Sequence, residues 1–225
     1  MKILFCALPC RLGAAGCLLL SLAAGCSMLN PKATQEPSFY SLDSVPGKGP
    51  VTTPIAALTL IINPPQAAAG FDSTRIIYLR EPHKLEYYAH NEWVDTPARM
   101  LEPLILAAIE NNGVFHAVVV TPSAATGDLR LDTEIIRLQH DFVAQPSHVR
   151  FTLRAYIVNN TTRRVLAWQE FDTTIAAASE DPYGGVIAAN LAVQTVLEQL
   201  AEFCTTAAGN WKSPADEAQQ RRLTR

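Results

Sequence analysis

The sequence predicts an α/β fold: one domain in which a mixed, largely antiparallel sheet is packed by two main helices. Two segments carry apolar residues at helical spacing, and six or seven segments have the composition of strands. Three of these strands follow one another without an intervening helix, as in an antiparallel meander. The apolar fraction of 48% is adequate for one core in a domain of this size.

Residues 1–25 have the pattern of a secretory signal peptide. Lys2 and Arg11 precede a run of small and aliphatic residues that is shorter than the roughly 20 residues needed to span a bilayer. The run ends in LAAGC (residues 22–26), which resembles the lipobox of bacterial lipoproteins. A similar sequence ends at Cys17, but Arg11 interrupts its apolar run, so Cys26 is the predicted lipidation site. Ordinary cleavage, which would release a soluble secreted protein, is the alternative.

The lipobox resemblance implies that acyl chains hold the mature protein to a membrane. Two or more chains anchor a protein stably, at about 0.8 kcal/mol per buried CH₂. Ser27, after the lipidated cysteine, resembles an outer-membrane sorting address, so we expect a lipid-anchored protein on the periplasmic face of the outer membrane. The predicted organisation is a lipid-anchored tether over 26–38, a domain over 39–207 and a disordered tail over 208–225.

Charge and cysteine content narrow the function classes. Without Lys2 and Arg11, 16 of the 18 basic residues remain against 21 acidic ones, a net charge of −5. No basic block exceeds a small pair such as Arg221-Arg222, so nucleic-acid binding has no electrostatic support. Once Cys26 is acylated, Cys204 has no disulfide partner, and its position on an apolar helix face predicts a buried thiol.

The first half of the mature chain predicts four short strands and one helix. The last two strands lie close enough to form a hairpin, and the four strands cover residues 39–42, 56–62, 76–80 and 85–88. Asp95 or Thr96 can cap a helix that has Pro97 in its first turn. The helix is expected to end at Asn111-Asn112-Gly113.

The second half predicts a Val-rich strand over 115–121, the antiparallel meander and a long helix. Residues of alternating polarity define the meander strands as 128–140, 148–158 and 165–175. Asp181-Pro182 begins the last helix. Its apolar stripe is expected to face the sheet and comprises Val186, Ile187, Leu191, Val193, Leu197, Leu200, Ala201 and Cys204.

The usual motifs of catalysis and metal binding are missing from the sequence. It has no G-x-S-x-G, S-x-x-K, Walker A or G-x-G-x-x-G motif. Asp132 and Glu134 are expected on a solvated strand face. We therefore expect no enzyme, catalytic residue, metal or cofactor. Metal-ligand spacing is absent among the five histidines, which are expected at scattered surface positions: His83, His90, His116, His140 and His148.

Several segments together resemble the ABC-type transport auxiliary lipoproteins, a family that includes the PqiC-like proteins. The segments, in chain order, are FYSLD at 39–43, IIYLR at 76–80, LEYY at 85–88, WVDTP at 93–97 and ML at 100–101. The resemblance implies a fold similar to the N-terminal domain of TolB. It also implies an accessory role beside an ABC transporter whose MCE-domain proteins are its partners. Such systems move lipids or other hydrophobic molecules between the inner and outer membranes.

Two questions about function stay open at this point. A general envelope scaffold or assembly lipoprotein without a transport role is the alternative to a transport accessory. The resemblance is compatible with a homo-oligomer, since a ring fits the role proposed for the family.

Four aromatic residues are candidates for partner binding. Tyr78, Tyr87, Tyr88 and Trp93 lie close together in the sequence, just before the first helix. Aromatic side chains are enriched at interface hot spots, and Trp93→Ala would then weaken binding without unfolding the domain. The alternative is that these residues pack the hairpin onto the core, since strands favour aromatic residues generally.

Overall fold

The computed structural model describes residues 36–43 and 58–211. The predictions for the signal peptide, for lipidation of Cys26 and for most of the tether fall outside this part of the chain. The described residues form one mixed α/β domain, which confirms the predicted fold class.

Nine strands and two helices occur in the described part of the chain, and each predicted element is present. Helix α1 spans Pro97–Asn112 and helix α2 spans Pro182–Asn210, beyond the predicted domain boundary at 207. The strands are β1 (Ser38–Tyr40), β2 (Thr59–Ile62), β3 (Gln66–Ala67), β4 (Arg75–Glu81), β5 (Lys84–Trp93), β6 (Ala117–Val120), β7 (Leu129–Asp141), β8 (His148–Asn159) and β9 (Val165–Ala176).

Strand β7 is the centre of the sheet. Its whole length pairs antiparallel with β8, which pairs in turn with β9. On its other side, the first half of β7 pairs parallel with β2 and the C-terminal end pairs parallel with β4. The predicted hairpin of β4 and β5 is antiparallel. It lies beside the C-terminal end of β7 because β4 pairs with that end.

The two helices contact each other and share one core with the sheet. Thr96 occupies the N-cap position of α1 without a side-chain hydrogen bond, Pro97 is the first residue of the helix, and Gly113 ends it in a left-handed conformation with φ of 67°. Asp181 caps α2 through a 2.8 Å hydrogen bond accepted from the Gly184 amide. These contacts confirm the helix boundaries expected from the sequence.

The apolar stripe predicted for α2 is partly wrong. Ile187 is 37% exposed and Leu191 is 48% exposed, so neither packs against the sheet. The buried face keeps the predicted Val186, Val193, Leu197 and Leu200 and adds small residues, among them Ala188, Ala189 and Ala192, which are at most 2% exposed. Small side chains let the helix axis approach the sheet closely, and the larger Ile187 and Leu191 are left on the outer side.

Candidate functional site on the β4–β5 hairpin

The structure divides the four predicted partner-binding aromatics among three environments. Tyr78 and Tyr88 meet on one side of the hairpin, at a ring-centroid distance of 4.5 Å. Tyr87 lies on the opposite side, because successive side chains of a strand alternate between the two faces of a sheet. Trp93, at the end of β5, is 3% exposed and belongs to the core. The four residues therefore do not form one surface.

Tyr78 and Tyr88 belong to an aromatic cluster that includes two residues from the end of β7. The Tyr78 ring meets Phe142 edge-on at 6.1 Å, and the His140 ring lies 4.1 Å from that of Phe142. Aromatic pairs in these arrangements contribute about 0.5–1.5 kcal/mol beyond the area that they bury. The cluster fixes the hairpin to the central strand.

His140 makes a hydrogen bond at each ring nitrogen. Nε2 lies 2.9 Å from Oγ of Ser147, and Nδ1 lies 3.2 Å from the hydroxyl oxygen of Tyr88. His140 is 2% exposed and Ser147 is fully buried. Burial lowers the pKa of His140 below its ordinary value, against the opposing effect of the Glu180 carboxylate. Burial likewise raises the pKa of Tyr88 above its usual range, so both groups are neutral at physiological pH.

The position of His140 corrects the expectation that all five histidines lie on the surface. A register shift in β7, between Ile135 and Arg137, reverses the face to which later side chains point. Residues at odd positions up to Ile135 face the core, and after the shift Leu138 and His140 do so. In the sequence, the shift coincides with two adjacent isoleucines, Ile135 and Ile136, which interrupt the alternation of polar and apolar residues.

A histidine beside a serine can act in nucleophilic catalysis, but this pair has no space for a substrate. The cavity that His140 lines, between the sheet and α2, measures about 10 Å³. Its wall on the helix side is Gly185, where an added Cβ would overlap Nδ1 of His140. Nδ1 faces a tyrosine hydroxyl, whereas a catalytic triad places a carboxylate there. The hydrogen bonds of His140 to Ser147 and Tyr88 are therefore structural contacts within the fold.

The other side of the hairpin exposes a small apolar surface, which we call the Leu85/Tyr87 surface. Leu85 is 48% exposed and Tyr87 is 51% exposed. The Arg75 guanidinium lies over the Tyr87 ring, 4.0 Å from its centroid. A cation in this position restricts the ring and contributes about 0.5–1 kcal/mol at an exposed site. Tyr87 is therefore held in place while its outer face remains open.

The ion pairs of the hairpin lie away from the Leu85/Tyr87 surface. Arg80 pairs with Glu86 at 3.1 Å, and Lys84 lies 3.4 Å from Glu81 and 3.7 Å from Glu86. Glu86 pairs with Tyr78 in the backbone register and Arg80 donates to the Tyr78 hydroxyl, so the Arg80–Glu86 pair is on the side of Tyr78 and Tyr88.

Trp93 cannot contribute to an exposed surface. Its side chain lies in the core, and its backbone amide donates to the carbonyl oxygen of Thr74 at 2.7 Å. For this residue the structure supports the alternative stated above, packing of the hairpin onto the core. Its replacement by alanine would leave a cavity, and a loss of binding could not be separated from a loss of stability.

Asp132 and Glu134 are ion-paired and Cys204 is buried. Asp132 pairs with Arg130 at 2.9 Å, and Glu134 lies 3.7 Å from Arg154. Over residues 36–43 and 58–211, no three His, Cys, Asp or Glu side chains are placed to share a metal ion. Cys204 is 1% exposed, as expected, and burial raises the pKa of its thiol to about 12.

The fold is found in other proteins of known structure. A Xanthomonas campestris protein of the DUF330 family superposes with a TM-score of 0.69 at 23% identity, over 76% of this chain and 95% of that chain. An uncharacterised protein superposes with a TM-score of 0.59 at 10% identity, over 75% and 99% of the two chains. A hypothetical protein from Chlamydia trachomatis gives 0.50 at 7% identity, over 68% and 98%.

The chain therefore has the same single α/β domain fold as the DUF330 protein. Residues 40–201 match the ABC-type transport auxiliary lipoprotein component family, and the chain belongs to that family. Comparison with curated proteins found no match. Neither α1 nor α2 combines the length and apolar character that crossing a bilayer requires.

Proposed function

We propose that this protein is a lipid-anchored accessory component of an ABC transport system that moves lipids or other hydrophobic molecules across the envelope. Lipid on Cys26 holds the domain at the periplasmic face of the outer membrane. There it binds the MCE-domain component of the transporter through the Leu85/Tyr87 surface. Family membership supports the accessory role, and the LAAGC sequence at 22–26 supports the anchor.

One observation carries the docking part of the proposal: Tyr87 is half exposed yet fixed by Arg75. An aromatic ring that is already ordered loses little conformational entropy when it is covered by a partner. Truncating a central aromatic of this kind typically costs 2 kcal/mol or more of binding free energy, about a thirtyfold change in affinity.

Tyr78 and Tyr88 take an indirect part in this proposal. They fix the hairpin from its other side, through the contacts with Phe142 and His140. A partner that binds the Leu85/Tyr87 surface therefore meets a strand pair that is held in one position relative to β7. Rigid support of this kind increases affinity because less order has to be imposed on binding.

Co-purification from membranes tests the docking. The variant carries Leu85→Ser and Tyr87→Ser, and the matched control carries Leu166→Ser and Trp168→Ser, since those residues are 47% and 62% exposed on β9. We expect the wild type and the control to retain an MCE-domain protein and the hairpin variant to lose at least nine-tenths of it. Equal recovery from all three would overturn docking at the hairpin. Recovery of envelope proteins unrelated to transport would favour the scaffold alternative.

Intact mass and fractionation test the anchor. Wild-type protein is expected in the membrane fraction, with a mass that includes acyl chains beyond residues 26–225. The Cys26→Ala variant should lack the added mass and leave the membrane fraction. A Cys26→Ala protein that stays fully membrane-bound would show that something other than lipid holds it.

A further inference from the structure

The outer side of α2 changes character along its length. Between Tyr183 and Leu197 the exposed residues are Tyr183, Ile187 and Leu191, and all three are aromatic or aliphatic. Beyond this point the exposed residues become charged or polar, beginning with Glu198 and Glu202. Residues spaced by four lie on one side of a helix, so the three apolar residues form a continuous stripe over its first turns.

Strand β1 extends this stripe through Tyr40, whose ring lies 6.3 Å from that of Tyr183. Asn190 fixes the chain after β1, since its Nδ2 donates to the carbonyl oxygen of Ser41 and its Oδ1 accepts from the amide of Asp43. We call Tyr40, Tyr183, Ile187 and Leu191 the entry surface, because the chain enters the domain there. Together with their neighbours they line a groove of about 410 Å³.

The entry surface differs in charge from the open face of the sheet. On that face Arg150 pairs with Asp172 at 2.7 Å, and Arg154 pairs with Glu170 at 2.9 Å. Between Pro182 and Leu197, α2 has no charged residue. Among the described residues that line the groove, Asp43 alone is charged. A lipid surface can therefore cover Ile187 and Leu191 with fewer ionised groups removed from water than on the sheet face, where such removal would be costly.

We propose that the entry surface rests on the membrane, with Ile187 and Leu191 inserted among the lipid headgroups. The inference rests on the lipid anchor at Cys26 that is part of the proposed function. Thirteen residue steps separate Cys26 from Phe39, so a fully extended tether spans at most about 45 Å. The anchor therefore keeps this surface at a high effective concentration next to the bilayer.

The side chains suit an interfacial position. Tyrosine is enriched at membrane–water interfaces because one end of its ring is apolar and the other is polar, and Tyr183 is 60% exposed. Aliphatic side chains such as Ile187 and Leu191 gain free energy in proportion to the apolar area that they remove from water. Few contacts are needed, because the anchor already supplies the attachment.

Fluorescence quenching on vesicles tests the contact. The full acylated protein, with Ile187→Cys carrying an environment-sensitive fluorophore, is reconstituted into phosphatidylethanolamine–phosphatidylglycerol vesicles. Cys204 is buried and remains unlabelled, and Cys26 is blocked by lipid. Trp168→Cys, on the open face of the sheet, is the matched control. A nitroxide quencher attached to lipid and an aqueous iodide quencher are compared at both positions.

The contact predicts that the lipid quencher acts at least threefold more strongly at position 187 than at 168, and that iodide acts less strongly there. Strong iodide quenching at 187 would show that the surface is bare. Protection at 187 from both quenchers would show that protein covers it, whether a partner or a second copy of the chain. Either result would overturn membrane contact while leaving the anchor intact. Loss of flotation with the vesicles would overturn the anchor itself, and with it the membrane contact.

Discussion

The hydroxyl oxygen of Tyr88 lies 3.2 Å from Nδ1 of His140, and this contact joins two strands that are not neighbours. Tyr88 belongs to β5 and His140 to β7, and β4 runs between them. Tyr78 of β4 contacts both residues: it pairs with His140 in the backbone register, and its ring lies against that of Tyr88. The hairpin that carries the Leu85/Tyr87 surface is thereby tied to the central strand by side chains as well as by backbone hydrogen bonds.

Acid should destabilise the domain through His140. Burial keeps its folded-state pKa below the ordinary value of 6.5, so the unfolded chain binds the proton more tightly than the folded one. The free energy of unfolding should then fall as the pH drops below about 6.5. Urea unfolding at about pH 7.5 and about pH 5.5 measures this change, which His140→Gln should largely abolish.

Two acidic groups near His140 act in a separate pH range. The Ser147 amide lowers the pKa of Glu180, and the Gly184 amide lowers that of Asp181. Their stabilising contributions are lost only as the pH falls below about 4.5. A free energy of unfolding that does not change between pH 7.5 and 5.5 in the wild type would contradict the role given to His140.

Gly185→Ala should destabilise the domain. Its added methyl group would overlap Nδ1 of His140 and force the first turn of α2 away from the sheet. Overpacking of this kind costs about 1–3 kcal/mol. Gly209 is the matched control, because no atom lies within 4 Å of a Cβ at that position. Thermal unfolding should show a lower Tm for Gly185→Ala and an equal or higher Tm for Gly209→Ala, since alanine favours helix. Equal Tm values would refute the close contact.

Trp93→Ala and Trp168→Ala should differ strongly in stability. Trp93 is 3% exposed and Trp168 is 62% exposed. Truncating a buried tryptophan costs about 3–5 kcal/mol, whereas an exposed one typically changes stability by less than about 0.5 kcal/mol. Chemical denaturation of both variants provides the comparison. A Trp93→Ala protein of wild-type stability would restore Trp93 as a candidate surface residue.

Cys204 should react with thiol reagents only when the domain opens. Its side chain is 1% exposed, and burial raises the pKa of the thiol to about 12, so little reactive thiolate forms. In native buffer the labelling rate should be at least a hundredfold below that in urea. Rapid labelling of the native protein would show that α2 separates readily from the sheet.

Local sequence patterns were sufficient to predict most of the architecture. The meander strands were predictable because polar and apolar residues alternate along each of them. Helix α1 was predictable because Pro97 and Gly113 mark its two ends. These signals act over a few residues and need no knowledge of the partner strands.

Features that depend on distant contacts could not be predicted in the same way. The burial of His140 follows from the register shift near Ile136, which reverses the facing of the rest of β7. The exposure of Ile187 and Leu191 follows from how closely the alanines of α2 approach the sheet. Both outcomes are set by packing between elements, whereas periodicity reports on one element at a time.

The candidate site shows the same limit. Neighbours in sequence, Tyr87 and Tyr88, lie on opposite sides of the hairpin, and the Tyr78 ring contacts both Tyr88 and the distant Phe142. Clustering in the sequence drew attention to the hairpin. It could not divide its aromatics into the half-buried pair of Tyr78 and Tyr88, the exposed Tyr87 and the core residue Trp93.

Site-specific photocrosslinking at position 87 tests the proposed function most directly. Tyr87 is replaced in cells by a photoreactive phenylalanine derivative, with the same replacement of Trp168 as the control, and the crosslinked proteins are identified by mass spectrometry. The account predicts a crosslink from position 87 to an MCE-domain protein of an ABC transport system, and none to that protein from position 168. A position 87 probe that crosslinks no such protein, or gives the same products as position 168, would contradict it.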